Sequence, residues 1–285
     1  MLSHNINPVL FKIGFVQVTY YALVYIFGIL IVLAVLLRAS RKKEIGLKEE
    51  EIYDFLVLCI FGLLVGARAF HILFWDLDYF LANPIKIFYI WEGGLSFHGG
   101  FFGVAVVSFL YSRFKKISLL KIADILVIPI VFILALGRIA NFINQEIAGT
   151  ITNVLWCFNF EYSEGCRHPV QLYASFGRFA LFFFLLSIKK KSDEFKDGFI
   201  FWNFVFFIGL GRFLLDFLRE DVRYFGLAAG QWFALAMLVF GAFILTKNYK
   251  RDLFKVTKIS RPDVENIGST ESRRFRKTPI ASKQL

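Results

Sequence analysis

Three cysteines and four histidines in 285 residues, with no CxxC or HxxxH spacing among them, leave no ligand set from which a metal site is ordinarily built. The chain also lacks a P-loop and a GxGxxG segment, so neither glycine-rich phosphate cradle is present. It has no internal repeat. Charged residues make up only 19% of the chain, and the acidic ones are outnumbered by basic ones, 22 against 33.

What is abundant is apolar surface. Hydrophobic residues reach 57% and aromatic residues 19%, more than a water-soluble core can hide. They fall in runs of roughly twenty, the length a bilayer-spanning helix needs. Candidate spans lie at 15 to 37, 52 to 74, 94 to 112, 122 to 143, 169 to 188, 199 to 218 and 229 to 247. The fold expected is therefore an all-α integral membrane protein of about seven transmembrane helices. The first run has no small-residue cleavage site after a short apolar core, and is expected to remain as an anchor.

The net charge of +11 would suit nucleic acid if it were gathered on one face, but it is divided by topology. The loops at 38 to 51, 113 to 121 and 189 to 198 and the tail from 247 hold 5, 4, 4 and 11 Lys and Arg, while the intervening outer segments hold only Lys12, Lys86, Arg167, Arg219 and Arg223. The positive-inside rule makes the first set cytoplasmic, which puts the N-terminus outside and the C-terminus in the cytoplasm. No nucleic-acid partner is implied. Residues 248–285 form a basic tail expected to be disordered, behind a helical domain spanning 1–247. Cys59 falls in the second span as a small apolar residue. Cys157 and Cys166 share the longest outward loop, where a disulfide and two free thiols are both open.

A charge inside the bilayer costs at least about 2.5 kcal/mol, so each one marks a candidate site. Arg68 in FGLLVGARAFHILFW, Arg138 in ILALGRIANFINQEIAG and Arg212 in FFIGLGRFLLDFLRE all come late in outward-running spans. One such arginine is readily explained by snorkelling or by pairing within a bundle. Three at one depth point to a site. Asn141, Asn144 or Gln145 follow Arg138, and Asp216 and Arg219 follow Arg212, at spacings that put each group on one helix face. Arg212 and Asp216 are also spaced for a plain local salt bridge. Arg178 falls outside this depth and takes no role in the expected site. WEGGLSFHGGFFG brackets His98 with glycines, which would bring a titratable ring into the same level as a base or acid. Tyr21, His71 and His168 lie where they could line the region.

Clustered guanidinium groups at the outer leaflet suit a phosphate, and a phospholipid headgroup is the nearest one. GGLSFHGG, then GRIANFINQEIAG at 137 to 149, then RHPVQLY and GRFLLDFLRE resemble, in this order and over roughly residues 8 to 245, the prolipoprotein diacylglyceryl transferase family. The resemblance implies an enzyme of the bacterial cytoplasmic membrane with its site toward the outer leaflet. Such an enzyme moves the diacylglyceryl group of phosphatidylglycerol onto the thiol of a lipobox cysteine in a preprolipoprotein, with no cofactor and no metal. It carries the family's essential histidine onto His98, its signature arginine onto Arg138, asparagine onto Asn141, acid onto Glu146 and closing glycine onto Gly149. The late arginine and acid fall on Arg212 and Asp216, and the early tyrosine on Tyr21. His98, Arg138, Arg212 and Tyr21 are then the expected catalytic residues. Arg138, Asn141, Glu146, Gly149, Arg212, Asp216 and Arg68 are the expected lipid ligands. Ala140, Ala174 and Asp216 depart from the family's glycine, glutamate and glutamate. A phosphatidylglycerol hydrolase and an anion or lipid transporter are the competing functions.

Overall fold

The structure, a computed structural model, describes residues 2–13, 16–161, 163–191 and 194–259. Nine helices occur among them: α1 (Tyr20–Arg41), α2 (Glu49–Phe74), α3 (Leu77–Ala82), α4 (Phe97–Lys115), α5 (Leu119–Ile143), α6 (Val170–Lys189), α7 (Phe199–Leu215), α8 (Ala229–Asn248) and α9 (Lys250–Ile259). Six of them, α1, α2, α5, α6, α7 and α8, are long and apolar enough to cross a membrane. Their sides carry fully apolar exposed residues such as Phe27, Phe61, Phe183 and Phe240. Such surface is stable only against lipid. The seventh expected run forms α4, which is not among the six because His98, Gly99, Gly100 and Gly103 dilute its apolar content.

Two ends differ from expectation. The first helix begins at 20 rather than 15, because the alternating, β-branched Val16–Thr19 pairs antiparallel with Val9–Ile13 as a hairpin. Thr19 then caps α1, its Oγ1 accepting from Ala22 N at 3.2 Å. The segment expected to be disordered from 248 opens with the ten-residue α9. The remainder of the basic tail lies outside the described residues.

Helix α5 is the axis of the bundle, packing against α1 on one side and α6 and α7 on the other. One apolar cluster joins Val127 and Val131 of α5 to Leu181 and Leu185 of α6, Phe199 of α7 and Leu245 of α8. A second joins α5 to α1, α2 and α4 through Ile122, Ile125, Leu36, Ile52 and Tyr111. Near its start α5 also grips the beginning of α7: Asp124 accepts from Gly198 N at 2.6 Å and from Phe201 N at 2.7 Å. At that same end Lys42, Lys121, Lys189, Lys190 and Lys196 line one cleft.

Helices α2 and α4 run against each other at main-chain distance. A Cβ added at Gly99 would fall on the Gly66 carbonyl, and one added at Gly103 on the Gly62 carbonyl, the small-residue contact by which helices associate in lipid. Gly99 therefore serves packing beside His98.

Arg68 does not face the other arginines. It is 7% exposed, and its guanidinium donates to the carbonyls of Ile87 at 2.9 Å, Gly93 at 2.7 Å, Gly94 at 3.1 Å, Lys86 at 2.5 Å and Tyr89 at 3.4 Å. Phe80 lies against its plane, 4.7 Å away. With its N–H groups spent on the 86–94 loop, Arg68 has no donor left for a lipid phosphate. It was expected among the headgroup ligands, and the structure places it on this loop instead of in the lining of the arginine cavity. Cys157 and Cys166 are joined by a disulfide with a Cα separation of 5.4 Å.

Arg68→Ala orphans five carbonyls and is expected to cost about 3–5 kcal/mol, the scale for breaking a buried charged network, read as a lowered Tm in detergent. An unchanged Tm would contradict the staple. Alkylation without reductant should label Cys59 alone, and reduction should add two thiols. Three labelled thiols before reduction would refute the disulfide.

Candidate functional site

The other two arginines expected at this depth, joined by two more, meet at one end of the bundle. A cavity of about 100 Å³ is lined by Arg138 of α5, Gln171, Ala174 and Arg178 of α6, Arg212 of α7, and Asp216 and Arg219 just beyond it. On the same measure one water needs roughly 10–15 Å³, so the space holds several waters or a small polar group. Its floor is apolar, formed by Leu181, Phe207 and Ile208. Arg178 and Arg219 join a set that depth alone restricted to Arg138 and Arg212. The expectation that Arg178 stands apart is corrected: Gln171, Ala174, Arg178 and Leu181 recur at helical spacing on the face of α6 that looks into the cavity.

Asp216 is the one carboxylate in this lining. It is 4% exposed, and its oxygens lie 3.4 Å from Arg212 Nε and 3.6 Å from Arg219 Nη1. The α-helix stops at Leu215 and a single 3-10 turn, Asp216–Leu218, follows; the spacings of four and three residues put both arginines beside the one carboxylate. Gly230 of α8 backs this pair: a Cβ there would meet Arg212 Nη2 at 2.7 Å and Asp216 Oδ2 at 2.8 Å. Any larger residue would push the arginine out of place.

Arg138 is steadied from its own helix end. Its Nη1 donates to Asn141 Oδ1 at 3.5 Å, a long bond, while Asn141 Nδ2 donates to Glu146 Oε2 at 2.7 Å and Asn144 Nδ2 to Glu146 Oε1 at 3.1 Å. Glu146 is thus engaged with two amides and acts on Arg138 through Asn141. It does not line the cavity. The turn that aims it is strained, since Gln145 and Ile147 have φ of 60° and 61°. The left-handed region is a genuine outlier for a β-branched residue, costing about 1–3 kcal/mol. Gln171 Nε2 offsets this by donating to the Glu146 carbonyl at 2.5 Å.

Gly149 closes the segment. Its N–H donates to the His168 carbonyl at 3.0 Å and its carbonyl accepts from Arg167 Nη1 at 2.9 Å. An added Cβ would sit 2.6 Å from the His168 oxygen, so only glycine fits. Gly149 also bridges to Arg219, which ties the end of the signature segment to the cavity wall.

Tyr21 lies within electrostatic range of Arg138, as do Arg212, Arg219 and Asp216. Its hydroxyl accepts from Tyr25 at 3.0 Å. His98 is outside the cavity lining. It is exposed in the first turn of α4, with the ring of Phe70 6.2 Å away on α2 and that of Phe233 6.4 Å away on α8. Phe233 is three residues beyond Gly230 on the same side of α8, so one stretch of that helix touches both His98 and the Arg212–Asp216 pair. His71 pairs with Asp76 at 2.8 Å, and His168 meets Tyr173 at 3.3 Å. Neither faces the cavity. Among the described residues no group of His, Cys, Asp and Glu is placed to hold a metal.

The geometry is that of an anion site: guanidinium groups in excess over carboxylate, on an apolar floor, at the end of a lipid-embedded bundle. A sequence model of the prolipoprotein diacylglyceryl transferase family matches residues 8–247. A phosphatidylglycerol–prolipoprotein diacylglyceryl transferase of Geobacter sulfurreducens is 37% identical over 243 residues, covering 85% of this chain and 93% of the relative. A protein of the same name from Vibrio cholerae serotype O1 is 34% identical over 259 residues, 88% and 94% of the two chains. One from Bordetella parapertussis is 36% identical over 246 residues, 84% and 94%. With nearly its whole helical bundle matched, the chain belongs to the prolipoprotein diacylglyceryl transferase family.

Proposed function

We propose that this chain transfers the diacylglyceryl group of phosphatidylglycerol to the cysteine thiol of a lipobox in a preprolipoprotein, releasing glycerol phosphate. The observation that carries this reading is the convergence of Arg138 and Arg212 on one cavity in an apolar bundle. The attacking thiolate sulfur forms a bond to the terminal glycerol carbon of the diacylglyceryl group as that carbon's bond to the phosphate oxygen breaks. The electron pair leaves with the phosphate, and the thiol proton passes to a base.

Arg138 and Arg212 hold the phosphate through forked donors that stay charged at any physiological pH. Asn141, set by Glu146, and Asp216, backed by Gly230, keep the two guanidiniums in position. Gly149 closes the turn behind them, and Tyr21 flanks Arg138. His98 is the base: a thiol with an ordinary pKa near 8.5 needs its proton removed to react at neutral pH. The peptide approaches across α8, between Phe70 and Phe233. Substrate binding draws the thiol and the phosphate together along the stretch of α8 from Gly230 to Phe233 that touches both groups.

The bundle comprises seven spans, α4 included, over residues 1–247. It sits in the bacterial cytoplasmic membrane with the N-terminus outside and the tail of 248–285 in the cytoplasm. The lysine-lined cleft at the start of α5 faces the cytoplasm. The arginine cavity then opens toward the outer leaflet, where precursors emerge.

Membranes containing phosphatidylglycerol and a lipobox peptide should yield a thioether adduct by mass, together with glycerol phosphate. Arg138→Ala is expected to lower the rate at least about 10²-fold, the scale for one lost charge-stabilising group. His98→Ala is expected to lower it about 10²-fold or more, as for a lost base, with the protein still inserted. Release of free diacylglycerol without adduct would replace the transferase reading by hydrolysis. Full activity in either variant would remove that residue from its role.

A further inference from the structure

We propose that Arg178 receives the negative charge that develops on the phosphate as it leaves; this rests on the transferase reading above. Arg178 lies eight residues into α6, about 12 Å along the axis from its outer end at 1.5 Å per residue. That sets it within the apolar body of the helix, away from its end. It lines the cavity with Arg138, Arg212 and Arg219. Its Nη1 is buried and has no hydrogen-bond partner, and no carboxylate pairs with it among the described residues. Asp216 pairs with Arg212 and Arg219, and its Oδ2 and Gln171 Oε1, which share the lining, are not hydrogen-bonded to Arg178. Ala174, one turn before Arg178 on the same face, offers no acceptor. The cavity thus has four guanidiniums against one carboxylate, with one donor of the deepest guanidinium held ready and unmet.

The chemistry supplies an acceptor at the right moment. The bound lipid is a phosphodiester with one negative charge. When the carbon–oxygen bond breaks and the electron pair moves to the phosphate, the product is a monoester whose second ionisation lies near pH 6, so it departs largely as a dianion. Arg138 and Arg212 match the charge present from the start. A further donor on the floor side meets the charge that appears only as the bond breaks, and an interaction stronger in the transition state than in the ground state raises turnover rather than binding.

The test uses the full chain in phosphatidylglycerol vesicles, with Arg178→Met and Arg178→Lys made alongside the wild type. Arg178→Met is expected to lower kcat about 10²-fold while KM for phosphatidylglycerol changes less than about threefold, and Arg178→Lys should regain part of the loss. Binding of glycerol phosphate and of its singly charged methyl diester, measured at pH 7.5 without turnover, gives a readout that a merely structural role would not move. The wild type should prefer the dianion, and Arg178→Met should lose about tenfold of that preference. Unchanged kcat in Arg178→Met, a loss confined to KM, or equal weakening for both probes would overturn the assignment. An unfolded Met variant shifts the decision to Arg178→Lys, whose preference for the dianion must then exceed that for the diester. Wild-type protein that makes no adduct overturns the transferase reading instead.

Discussion

A guanidinium in hydrocarbon must find oxygen. That constraint organises this protein more than any packing preference, because apolar helices gain little from one another where lipid is equally apolar. Each arginine at membrane depth is met in a different currency of acceptor. Arg68 takes carbonyls from a loop, Arg212 and Arg219 divide one carboxylate, and Arg138 leans on an amide that a carboxylate holds from behind. Arg178 retains an unmet donor. The same rule that builds the bundle thereby separates arginines that finish a fold from those that await a ligand.

The long apolar helices were legible in the sequence because lipid imposes a length and a composition together, and six of the seven expected runs return helices long and apolar enough to cross a membrane. Their ends were less legible where another local rule competed. Val16–Thr19 lies within the first apolar run, yet its alternation favours a hairpin. His98 and the glycines after it thin the apolar content of α4, while Gly99 and Gly103 let two backbones touch. Length and hydropathy describe a helix in isolation, and the contact between Gly66 and Gly99 belongs to a pair.

The site was legible in part. Arg138, Arg212 and Asp216 stood out by depth and spacing, and they share a cavity. Arg68 stood out equally and does something else, because its partners come from residues 18 to 26 positions away, a distance no spacing rule covers. Arg178 was visible as a charge at an odd depth. Its face of α6, shared with Gln171 and Ala174, was the available signal, and it takes on meaning only once α5 and α7 are known to flank it. The relay from Glu146 through Asn141 depends on left-handed backbone at Gln145 and Ile147, which neither residue type announces.

The hold of Asp124 on the start of α7 has a mechanical corollary. Helices α5 and α7 are clamped at one end by two main-chain N–H groups on a single carboxylate, and at the other they are joined where Thr150 N donates to the Leu218 carbonyl at 2.8 Å. The two ties together set the spacing between Arg138 and Arg212, which stand on these two helices and face each other across the cavity.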